Sequence, residues 1–163
     1  MLKFPLLCVM MFLQFFVWGS WYVTAGTFVP AMGWGQDTTG WVYSAGPIAA
    51  MISPLFLGLI ADRFFPSQFV LAFMHLLGAV IMLVLIPGAI EAKDADYFEW
   101  YVLAYMLCYM PTLGLTNTVA FTHIERPEKQ FPIARVFGTF GWIAAVTLVS
   151  KGLGADEKPV MFL

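Results

Sequence analysis

Arg135, Thr139 and Trp142 stand at i, i+4 and i+7, so on a helix a cation, a hydroxyl and an indole share one face. Their neighbours are almost all apolar, and an arginine in such company either snorkels to an interface or meets a partner. The residue types leave both open. Gln14, Trp18 and Trp21 repeat the spacing near the N-terminus. A glutamine among aromatics can hydrogen-bond a planar polar ring while the indoles stack on it, and it can equally bond between helices. Tyr105, Tyr109, Thr112 and Thr116 form a third face, with Asn117 close by and Pro111 among them. So many polar groups next to a proline kink read as the lining of a cavity.

Other chemistries find little material. His75 has no nearby acid or second histidine, which favours a hydrogen-bonded structural role over a proton relay. Cys8 and Cys108 are expected to be apolar packing residues, with no disulfide framework and no metal cluster. No nucleophile–base pair or phosphate loop is present, so an enzyme is not expected, and no cofactor is implied. A net charge of −2 gives no nucleic-acid footprint.

The elements that carry these faces follow from where charge is missing. Windows 4–36, 38–61, 64–90 and 100–124 contain no Lys, Arg, Asp or Glu, and a shorter one covers 136–150. About 20 apolar residues cross a bilayer core, so the expectation is an all-α, polytopic transmembrane bundle. Five spans are placed at about 4–32, 40–62, 67–90, 99–123 and 132–151. Composition agrees: 61% of residues are hydrophobic and 11% charged, too few charges to clothe a water-facing surface. A signal peptide is the weaker reading of the N-terminus, because its apolar core would be only about 7–15 residues long.

With the N-terminus in the cytoplasm, Lys3, Arg63, Arg126, Lys129 and Arg135 lie inside and Lys93, Lys151 and Lys158 outside, in the direction of the positive-inside rule. Residues 33–39 then form an outer turn, 65–67 a tight inner turn, 91–99 an acidic outer loop and 125–130 a charged inner loop. Gly19 and Gly26 in span 1, and the pairs Ala45/Ala49 and Gly46/Ala50 in span 2, suit close helix contact. Pro47 and Pro54 can bend span 2. After Lys158, Pro159-Val160-Met161-Phe162-Leu163 looks like the opening of a further apolar span. Truncation of a longer chain is the favoured explanation, over a short interfacial tail.

Gly58-Leu59-Ile60-Ala61-Asp62-Arg63 resembles the loop motif between spans 2 and 3 of the major facilitator superfamily. In that resemblance Gly58 permits close packing and Asp62 and Arg63 belong to the inner gate; Phe65-Pro66 departs from the usual tail. Leu13-Gln14-Phe15-Phe16-Val17-Trp18-Gly19-Ser20-Trp21 is similar to the first span of the nucleoside:proton symporter family. The stretches 109–118 and 132–142 are similar to that family's fourth span and the start of its fifth.

The resemblance implies that residues 1–163 are a partial N-terminal bundle of a twelve-span transporter, with the C-terminal half absent. It implies proton-coupled nucleoside uptake by alternating access, in a bacterial inner membrane. The partners would be a nucleoside, a proton, the lipid bilayer and the missing half. Arg135, Thr139 and Trp142 match an Arg, Thr and aromatic expected to face the nucleoside, with Gln14, Trp18 and Asn117 as weaker candidates. No carboxylate lies deep inside a span, so the coupling acid is expected in the missing half. Two other readings are a facilitator for another solute such as a sugar, and a non-transporting interaction or sensor module.

Overall fold

The computed structural model describes residues 3–56 and 66–154. The regular elements among those residues are helices: α1 (Lys3–Gly19), α2 (Ala25–Ala31), α3 (Gln36–Phe56), α4 (Ser67–Val80), α5 (Ile86–Ala92), α6 (Ala95–His123) and α7 (Pro127–Thr147). Wider π-helical turns at Ile81–Leu85 and Leu148–Gly152 join α4 to α5 and close α7. Among the described residues, two continuous stretches, Ser67–Ala92 and Pro127–Gly152, are long and apolar enough to cross a membrane by length and composition.

Three boundaries differ from those expected. The first span is not one helix: after Gly19 the chain passes through a turn before α2. At the interruption Ser20 Oγ donates to the Val17 carbonyl and Thr24 Oγ1 to the Trp21 carbonyl. Such local bonds compete with the helical ladder. The acidic loop expected over 91–99 is instead a tight turn. Lys93 takes a left-handed conformation with φ 55°, and the Asp94 side chain accepts from the Tyr97 backbone N–H, capping α6. Asp96 and Glu99 therefore sit within the helix. Finally, Asp37 and Thr38, expected in a turn, lie in the first turn of α3, and Gly33 at φ 77° supplies the reversal before it. The π turn at Ile81–Leu85 precedes Pro87, which has no N–H to give the preceding turn.

α6 is the hub, with α3 and α4 packed along it, while α7 lies against α1. Small residues set both approaches. On α3, Ala45 and Ala49 are buried and Gly46 sits among the methyls of Met106 and Met110, whereas Ala50 is exposed. Between α1 and α7 the backbones nearly touch. A Cβ on Gly141 would collide with the Phe12 carbonyl, and one on Gly19 would lie 3.0 Å from the Trp142 carbonyl oxygen.

The core is mainly apolar, as in a water-soluble bundle, but large apolar side chains also crowd the exterior. Gln14, Thr24, Thr38, Ser53, Thr112 and Thr116 are buried, while Phe69, Phe73, Leu76 and Val80 form an exposed stripe down α4 that Leu83 continues in the π turn. Leu6, Val9, Leu13 and Val17 do the same on α1. Apolar stripes of this kind suit hydrocarbon, and polar groups inside such a bundle must find partners within it.

Candidate functional site

Two of the three polar faces meet between α1 and α6. Gln14 Nε2 donates to Thr112 Oγ1 at 2.7 Å, and Thr116 Oγ1 lies 3.1 Å from Gln14 Oε1. The Tyr109 hydroxyl donates to the Gln14 backbone carbonyl at 2.5 Å. Each threonine also reaches the carbonyl of its own helix one turn back, Thr112 to Tyr109 and Thr116 to Thr112. Both ends of the Gln14 amide are thus engaged in joining two helices, and the side chain is 4% exposed. Tyr105, Tyr109 and Thr112 also line one side of an apolar cavity of about 670 Å³ between α1, α4 and α6. His75 lines it too, with Nδ1 3.0 Å from the Leu71 carbonyl one turn back on α4. Cys8 and Cys108 are free and buried among apolar side chains.

Arg135, Thr139 and Trp142 converge on a different recess. With Phe15 and Trp18 of α1 they line a cavity of about 240 Å³ at the α1–α7 seam. Arg135 and Thr139 are exposed there and Trp142 is half-buried, so their polar groups are open to a ligand. The Trp18 and Trp142 rings meet edge to face, 5.2 Å apart at 90°. Tyr22 flanks both, at 5.4 Å from Trp18 and 6.3 Å from Trp142, and Tyr43 follows at 5.1 Å from Tyr22. The Trp18 indole N–H is buried and has no hydrogen-bond partner among the described residues.

The position of this recess along α7 follows from helix geometry. At 1.5 Å per residue Arg135 lies about 12 Å from Pro127, well beyond the first turn. Thr139 is at the middle of the apolar stretch Pro127–Gly152. Arg135 meets no carboxylate among the described residues; its Cζ lies over the Phe15 ring, 4.5 Å from the centroid.

Of the residues anticipated from sequence, Arg135, Thr139, Trp142 and Trp18 are brought together, while Gln14 faces α6. Asn117 does not line the recess; its Oδ1 is buried without a partner elsewhere on α6. Gly58, Asp62 and Arg63 lie outside the described residues. Phe15 went unnoticed in sequence. The one available signal was Gly138, three residues after Arg135 on the same face, where a Cβ would stand 2.6 Å from Phe15 Cδ2.

A family model described as Nucleoside H+ symporter matches residues 2–157. The chain is 42% identical over 139 residues to the putative nucleoside transporter YegT of Escherichia coli (strain K12), an alignment covering 85% of this chain and 32% of that protein. It is 36% identical over 147 residues to the xanthosine permease of the same organism, covering 87% and 34%. A crystal structure of the nucleoside transporter NupG superposes with a TM-score of 0.88 at 30% identity, over 96% of this chain and 39% of that one. The chain spans about a third of the length of the curated relatives it matches.

Proposed function

The chain belongs to the nucleoside H+ symporter family, and from that premise we propose that it forms the first five spans of a longer transporter for proton-coupled nucleoside uptake. As a family member it is an integral membrane protein. In this reading α1 with α2 is the first span, α3 the second, α4 with α5 the third, α6 the fourth and α7 the fifth, with the N-terminus in the cytoplasm. A bacterial inner membrane is the proposed location, as befits relatives from Escherichia coli.

One observation carries the substrate assignment: a guanidinium, a hydroxyl and two indoles share one open recess at mid-helix. A nucleoside joins a polar sugar to a flat base, and the recess offers a counterpart for each part. The Arg135 N–H groups and the Thr139 hydroxyl would hydrogen-bond ribose hydroxyls or base carbonyls, and Trp142 and Trp18 would pack on the base. Location near the middle of the helix suits alternating access, in which a site between two halves opens to each side in turn. Gln14 contributes by holding α1 against α6, and Asn117 remains a second candidate contact outside the recess.

Labelled uridine uptake by the full-length transporter, in cells lacking their own nucleoside carriers, tests this assignment. Arg135→Ala is expected to raise the uridine KM about tenfold or more, the loss of at least one charged hydrogen bond, while the amount inserted in the membrane stays unchanged. Parallel loss of uptake and insertion would mean that Arg135 serves the bilayer interface instead. Sugar uptake without nucleoside uptake would refute the substrate class.

A further inference from the structure

Arg135 enters an apolar helix without an acid to meet it. The nearest acid in sequence is Glu128, seven residues away in the exposed first turn of α7. No ion pair or hydrogen bond to the guanidinium forms among the described residues, and its cationic centre lies 4.5 Å from the centre of the Phe15 ring. That ring is itself confined. Gly138 provides its seat, since even a methyl group there would stand 2.6 Å from Phe15 Cδ2, and Trp18 flanks it with ring centres 6.4 Å apart.

We propose that Phe15, seated on Gly138, is the positioning residue for Arg135: it stabilises the cation through its ring face and leaves the N–H donors free for the ligand in the recess. This rests on the nucleoside reading above. A carboxylate partner would satisfy the charge by occupying those same donors, as a bidentate pair does. An aromatic ring attracts the cation electrostatically without consuming its hydrogen bonds, and more strongly where water is excluded. Gly138 is part of the device, because its missing side chain is what lets the ring lie beneath an arginine one turn earlier on α7.

The test is uridine binding to the purified full-length transporter, with uptake kinetics alongside. Phe15→Leu keeps an apolar side chain but removes the π face, and is expected to raise the uridine Kd about tenfold with little change in maximal rate. Phe15→Tyr restores the face and should bind within about twofold of the parent protein. Gly138→Ala, which displaces the ring, should resemble Phe15→Leu. In an Arg135→Ala background, Phe15→Leu should add no further loss. Three results would overturn the proposal: Phe15→Leu binding like the parent, Tyr failing as badly as Leu, or an undiminished Phe15→Leu effect without Arg135. The last would mean that the ring touches the ligand directly. A parent protein that binds no nucleoside would refute the functional reading itself, whereas normal parent binding with an indifferent Phe15 refutes only the positioning role.

Discussion

At the scale of single residues, Gln14 and Trp18 show how one helix face divides its work. They stand one turn apart, yet Gln14 gives both ends of its amide to Thr112 and Thr116 while Trp18 turns to the recess beside Trp142. The bonds of Gln14 are individually modest. Both threonine hydroxyls keep a carbonyl of their own helix within reach, so removing the amide strands no donor. Gln14→Leu is therefore expected to cost about 1 kcal/mol of stability, the scale of interhelical hydrogen bonds in membranes. The thermal midpoint of the detergent-solubilised protein measures this. A weakened uridine Kd with an unchanged midpoint would instead assign Gln14 to the ligand. The sequence made the polar faces visible because i, i+4 and i+7 spacing is a property of one helix. Which neighbour each face meets depends on the register between helices, and so the partnership of Phe15 with Arg135 was hidden.

At the scale of elements, the α1–α7 pair positions the recess, and its glycines set the separation. Gly141 faces the Phe12 backbone and Gly19 the Trp142 backbone, so neither side can retreat by a rotamer change. Gly141→Leu should destabilise the pair by about 3 kcal/mol or more, at the upper end of overpacking costs, and lower the folded yield in membranes. Gly40→Ala serves as the control, because nothing lies within 4 Å of the Cβ it would add. Near-normal folding of Gly141→Leu would contradict the close α1–α7 packing. The elements were legible from charge-free windows, but their ends were less so. Apolar residues continue through 20–24, where the Ser20 and Thr24 hydroxyls bond to the backbone and the helix is interrupted, so hydropathy alone merges α1 with α2. Conversely, the charges of 91–99 suggested a loop, although Asp94 uses its carboxylate to begin α6 and Asp96 follows inside its first turn. A charge at a helix start is compatible with helix, because it complements the unpaired N–H groups there.

At the scale of the whole molecule, the apolar exterior ties the fold to its solvent. Thr112 and Thr116 lie fully inside the bundle while Phe69, Phe73 and Leu76 face out, the arrangement a hydrocarbon surround demands. The recess between α1 and α7 then supplies hydrogen-bond donors and aromatic faces at mid-helix, where a solute crossing by alternating access would dwell. Every acid in the described helices sits near a helix end, and none lies beside Arg135. In the proposed transporter, a carboxylate that takes up the coupled proton at mid-membrane would therefore come from outside the described helices. Reconstitution of that transporter into proteoliposomes addresses the central claim most directly, with labelled uridine outside and an imposed pH gradient, acid outside. The account predicts uridine accumulation above the external concentration, abolished by a protonophore and strongly reduced in Arg135→Ala. Entry at the same rate and to the same level with and without the gradient would contradict it.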